Sequence, residues 1–101
     1  MNIMQMMKQA QSLQQKLKNT QQELANIEVT GEAGSGAVTV TFDGQGKFKA
    51  IKLASNVSEL DAEMLEDIIT TAMNQATEKA SKQMEDKMKS VTGGINIPGL
   101  F

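Results

Sequence analysis

The chain has no cysteine, histidine, arginine, tryptophan or tyrosine, and only one proline. Without cysteine there is no disulfide framework and no thiolate chemistry. Without histidine the usual general base, the usual zinc ligand and every Ser-His or Cys-His nucleophile are excluded. Phe42, Phe48 and Phe101 are the only aromatic residues, too few for a platform that stacks unpaired bases. No apolar run approaches the ~20 residues that cross a bilayer. The alternation of Met with Asn, Gln and Lys over residues 1–10 does not read as a secretory leader, so a cytoplasmic location is expected.

The 101 residues suit one domain, with residues 1–92 as its body and 93–101 as a short apolar tail. The net charge is −2, and all ten positive charges are lysines. The charge is unevenly spread. Lys8, Lys16 and Lys18 oppose only Glu23 in residues 1–27, whereas Glu59, Asp61, Glu63, Glu66 and Asp67 crowd residues 59–67. Lys79, Lys82, Lys87 and Lys89 outnumber Glu85 and Asp86 in residues 79–89. The acidic cluster falls where a second helix should begin, and complements its dipole there.

Residues 2–27 contain no Gly or Pro and are rich in Gln, Met, Leu, Lys and Ala, which predicts one long helix. Ile3, Met6, Ala10, Leu13, Leu17, Thr20, Leu24 and Ile27 alternate spacings of three and four, a heptad seam suited to a partner helix. Residues 28–53 change period. Val38, Val40 and Phe42 alternate with Ala37, Thr39 and Thr41, and Lys49, Ile51 and Leu53 alternate with Phe48, Ala50 and Lys52. A weaker strand over 27–33 is interrupted by Gly31. Gly34-Ser35-Gly36 and Asp43-Gly44-Gln45-Gly46 mark hairpin turns, giving a three-stranded antiparallel meander. After a connector, Asp61 (or Ser58) caps a second helix over 61–91. Its stripe is Leu65, Ile69, Ala72, Met73, Ala76, Ala80, Met84 and Met88, with Lys87 falling on it. The first half of that helix should pack on the sheet and the second half should project. The expected fold is α+β: long helix, meander, long helix.

Several features invite a functional reading. Lys79, Lys82 and Lys89 fall within a quarter-turn, yet Glu78 and Asp86 share the stripe, so on residues alone it reads as a solvated face. Lys8, Lys16 and Lys18 lie off the heptad seam and read the same way. The glycines of residues 31–36 lack both Walker spacing and a following helix, and serve hairpins. Glu63, Glu66 and Asp67 lack the loop of a calcium site. Met4, Met6, Met7, Met64, Met73, Met84 and Met88 suit either an adaptable binding surface or packing, with packing favoured for Met64 and Met73.

The sequence resembles the YbaB/EbfC family of bacterial nucleoid-associated proteins. The resemblance rests on Met4-Gln5-Met6-Met7-Lys8-Gln9-Ala10-Gln11 and on the Gly-rich hairpin from Val29 to Val40. It continues through Met64-Leu65-Glu66-Asp67-Ile68-Ile69, Ala72, Asn74-Gln75-Ala76, Gly93-Gly94 and Ile97-Pro98-Gly99-Leu100-Phe101. It implies a tweezer-shaped homodimer, binding to double-stranded DNA with little sequence preference, a nucleoid location, and no catalysis or cofactor. The projecting helices would contact DNA, which on this chain points to Lys8, Lys16, Lys18, Lys79, Lys82, Lys87 and Lys89. No membrane or small-molecule partner is expected. Lysine alone cannot read guanine bidentately, which suits low specificity. With about five phosphates neutralised, affinity should fall roughly 10²- to 10³-fold between 50 and 200 mM salt. The alternative is a prefoldin-like interaction module holding unfolded chains. An enzyme ranks last, because no arrangement of Lys, Asp, Glu, Ser and Thr looks catalytic.

Overall fold

A computed structural model describes residues 2–92. Helix α1 runs Ile3–Asn26, strands β1, β2 and β3 run Glu28–Ala33, Val38–Asp43 and Phe48–Leu53, and helix α2 runs Ala62–Thr92. A 3-10 turn over Ser55–Glu59 occupies the connector. The elements appear in the expected order, with ends within a residue of expectation. Asn2 opens α1, its side chain accepting from the Gln5 N–H at 2.8 Å. Asp61 opens α2 in the same way, accepting from the Met64 N–H at 2.8 Å; such caps contribute about 1 kcal/mol each. The expected tail, residues 93–101, lies outside the described residues.

The three strands form an antiparallel sheet in the order β1-β2-β3. Between β1 and β2, Ser35 and Gly36 both have positive φ and the Ala37 N–H closes on the Gly34 carbonyl, a hairpin turn matched to strand twist. One face of the sheet carries Val29, Val38, Val40 and Phe42, all buried under α2. The α2 residues that meet them are Ala72, Ala76 and Ala80, no more than 1% exposed. Small side chains let the helix axis lie close to the sheet. The closest approach is at Gly31, where an added Cβ would stand 2.0 Å from the Ala72 carbonyl oxygen and 2.7 Å from the Ala76 nitrogen. Gly31 therefore does not interrupt β1, which is continuous; it lets α2 dock on it.

Plain alternation misplaces Phe48. The register slips between Thr41 and Phe42, so Phe42 opposes Phe48 while Thr41 opposes Ala50. The bulge makes Lys49 the additional residue and turns Phe48 to the same face as Ile51 and Leu53. Phe48 meets Phe42 edge-on, with ring centroids 5.7 Å apart. The methionines divide too. Met73 packs against the core, whereas Met64 is 49% exposed and is not core.

The β2–β3 turn anchors α1 by its C-terminal end. The Gly44 N–H donates to the Leu24 carbonyl at 2.8 Å, and Gln45 Nε2 donates to the Gln21 carbonyl at 2.7 Å. These bonds tie the turn to the last two turns of α1, where the Leu24 carbonyl also accepts from the Ile27 N–H at 3.2 Å. Only the C-terminal part of the heptad seam is covered: Thr20 and Leu24 are buried, Leu13 and Leu17 half-buried, and Ile3, Met6 and Ala10 exposed. The C-terminal part of α2 turns out to be engaged as well, because Lys87, Ser90 and Val91 line a cleft against Lys16, Asn19, Thr20 and Glu23 of α1. The domain is consequently elongated, 68 × 23 × 16 Å.

Candidate nucleic-acid interface

The seven lysines expected to meet phosphate do not share one surface. On α2, Lys79 Nζ donates to the Thr30 carbonyl of β1 at 2.8 Å. Lys87 pairs with Glu23 of α1 at 3.2 Å, and Lys89 with Glu85 one turn back at 3.2 Å. Lys82 lies in a groove with Glu28, Lys79, Gln83 and Asp86, so two carboxylates share its surroundings. Solvent-exposed pairs of this kind contribute only about 0–1 kcal/mol to stability. Lys79, Lys87 and Lys89 nevertheless each face an acceptor that a phosphate would have to displace.

The lysines of α1 stand differently. Among the described residues Lys8, Lys16 and Lys18 are exposed and none has an ion-pair partner. No Asp or Glu occurs before Glu23, so most of α1 is free of carboxylates in a chain whose net charge is negative. At about 100° per residue, Leu13, Leu17, Thr20 and Leu24 define the inward side of α1. The opposite side carries Met4, Met7, Lys8, Gln11, Gln15, Lys18 and Gln22, all exposed, within an arc of roughly 100°. Lys16 sits between the two sides, at the mouth of the α1–α2 cleft. The structure thus brings Lys8 and Lys18 to one surface, sets Lys16 beside it, and keeps the α2 lysines apart.

The two edges of the sheet are also unlike. On β1, Gln75 Oε1 accepts from the Glu32 N–H at 3.2 Å and Lys79 covers the Thr30 carbonyl. Side chains of α2 therefore close that edge against a further strand. On β3 every residue is exposed, and Phe48, Ile51 and Leu53 present an apolar row 45–49% exposed, on the face whose other residues are core. Sequence reading did not single out Gln75, Gln45 or this row. The signal for the row was Ile51 and Leu53 on a strand beside the core, but the bulge that adds Phe48 has no local signature.

A two-layer α+β domain with a lysine-bearing helix that carries no carboxylate before Glu23 is the class that this fold and surface define. Residues 1–95 match the model of the YbaB/EbfC DNA-binding family, and the chain belongs to that family. The fold is also that of the crystal structure of HP0035, described as an uncharacterized protein, from Helicobacter pylori. The two superpose with a TM-score of 0.74 at 19% identity, covering 94% of this chain and 97% of that one. The expectation of a helix, a three-stranded meander and a helix in this family is therefore met.

Proposed function

We propose that the protein is a nucleoid-associated homodimer that binds double-stranded DNA with little sequence specificity, chiefly through α1. Membership of a DNA-binding family supplies the ligand class. The observation that carries the finer reading is the contrast between helices: Lys8 and Lys18 lie among no carboxylates and Lys16, beside Glu23 in the cleft, forms no ion pair, while Lys79, Lys87 and Lys89 each hold an acceptor within the fold. Ammonium groups on a helix surface neutralise phosphates and release counterions without reading base edges. The glutamines between them on α1 hydrogen-bond without adding charge. No step of chemistry is needed, and the protein is proposed to act as a binder rather than an enzyme, in the nucleoid of the cytoplasm.

The dimer reading is supported by the row of Phe48, Ile51 and Leu53. It continues the buried face of β2 beyond the reach of α2, and a second copy covering it would remove three large apolar side chains from water. Burial of that kind contributes about 25 cal/mol per Å² of apolar area. Light scattering is expected to give a dimer mass for the wild type and a monomer mass for Ile51→Lys, with helix content retained in both. A variant that stays dimeric would place the interface elsewhere, and a hexameric wild type would favour the prefoldin-like alternative.

The function itself is tested by fluorescence anisotropy on a random-sequence duplex at several salt concentrations. Two copies bring six α1 lysines, so affinity is expected to fall about 10³-fold between roughly 50 and 200 mM salt. Absence of binding at low salt, or an affinity indifferent to salt, would contradict the proposal.

A further inference from the structure

We propose that the N-terminal turn of α1 is a wedge: Met4 and Met7 insert between base pairs of the bound duplex and bend it. This rests on the DNA-binding reading above and adds a base-contacting element to it. Ile3, Met4, Met6 and Met7 are 74%, 68%, 56% and 58% exposed, the most exposed large apolar side chains of the described structure. They lie far from the core. Thr20 is the first buried residue of α1, so the tip stands roughly 20–25 Å away along the axis at ~1.5 Å per residue. The row on β3 is beside the core and has a second copy to cover it; the tip of α1 is not continuous with that row.

Charge identifies the occupant as polyanionic. The tip is a helix N-terminus, Lys8 follows Met7 directly, Lys18 lies on the same side, and no carboxylate occurs in α1 before Glu23. Two polyanions compete for such an element, duplex DNA and an anionic membrane. The distribution of apolar residues decides between them. A helix lying in a membrane interface needs an apolar face along its length. Ile3, Met6 and Ala10 are exposed as well, but they lie on the seam that continues inward as Leu13, Leu17 and Leu24; over residues 4–22 the outward side is apolar only at Met4 and Met7, and continues as Lys8, Gln11, Gln15, Lys18 and Gln22. One apolar turn followed by lysines and amides suits a side chain that enters a base step while the rest of the helix tracks the backbone. Methionine is among the residues that wedge base steps in proteins that kink DNA by roughly 20–90°. It has no branch at Cβ and its thioether is polarisable, so it adapts to whichever step it meets, in keeping with low sequence preference.

The test is a short duplex carrying a donor and an acceptor dye at its ends, with 2-aminopurine at internal steps. The full chain is expected to raise energy transfer and 2-aminopurine fluorescence as it saturates the duplex. Met4→Gln/Met7→Gln keeps the charge and good helix formers, and is expected to bind with the same salt slope and within a few-fold of wild-type affinity, yet to leave both signals at the level of free DNA. Met4→Leu/Met7→Leu is expected to restore them. A wild type that binds without changing either signal would overturn the wedge and leave the DNA-binding reading standing, as would a Gln variant that bends like wild type. A wild type that binds no duplex would overturn both. Binding to phosphatidylserine vesicles that is lost in the Gln variant, with no change in DNA bending, would assign the tip to a membrane surface.

Discussion

Gly31→Ala is expected to unfold the protein more effectively than truncation of any one buried side chain. The added methyl carbon would stand 2.0 Å from the Ala72 oxygen and 2.7 Å from the Ala76 nitrogen. Both are backbone atoms, so no rotamer change relieves the contact, and the helix must lift from the strand. Lifting it separates Ala72, Ala76 and Ala80 from Val29, Val38 and Val40, which is most of the core. Overpacking against side chains costs about 1–3 kcal/mol, and a backbone clash belongs at or above the top of that range. A domain of this size has a total stability near the lower end of about 5–15 kcal/mol. Urea unfolding at fixed protein concentration measures the loss, with Gly36→Ala as the control. Gly36 has φ +86° but nothing within 4 Å of its added Cβ, so only conformational strain of roughly 1 kcal/mol is expected there. Equal midpoints for the two variants would mean that β1 and α2 are not packed as described.

The role of Gly31 shows where sequence reading stops. Glycine inside a strand pattern marks either a break or a close approach, and the residues around it do not choose. The deciding residues, Ala72, Ala76 and Ala80, lie more than forty positions away, and their i, i+4 spacing was legible as a stripe but not as a dock. The same limit governs the lysines. Helical spacing groups Lys79, Lys82 and Lys89 within a quarter-turn of α2, and Lys79 and Lys82 do line one groove, but Lys79 finds its acceptor 49 residues back on β1 and Lys87 its partner 64 residues back on α1. What was legible had a local cause. Val38, Val40 and Phe42 alternate because the strand does, Asp61 caps because its carboxylate reaches the Met64 N–H, and the Gly-rich pairs turn because positive φ is needed there. The misplacement of Phe48 comes from a bulge that a single inserted residue produces without any unusual residue type.

Replacing Lys8, Lys16 and Lys18 together by glutamine is expected to abolish most DNA binding, while replacing Lys79, Lys87 and Lys89 is expected to change it less than about threefold. Both triplets remove the same formal charge, so a purely global electrostatic effect would treat them alike. The difference follows from what each lysine already faces. An α2 lysine that moves to a phosphate gives up the Thr30 carbonyl, Glu23 or Glu85, and leaves the carboxylate beside the DNA. An α1 lysine gives up only water and counterions. With six phosphates released from contact across a dimer, the salt slope should flatten by about five logarithmic units per tenfold change in salt, since each contact contributes about 0.9. At roughly 50 mM salt that corresponds to a loss well above 10²-fold. Glutamine preserves helix propensity, so circular dichroism of both variants should match wild type. Measured on one duplex by anisotropy across a salt series, a larger loss for the α2 triplet would move the phosphate-binding surface from α1 to the groove where Lys79 and Lys82 lie. Equal losses would mean that net charge, and not the placement of the lysines, sets the affinity.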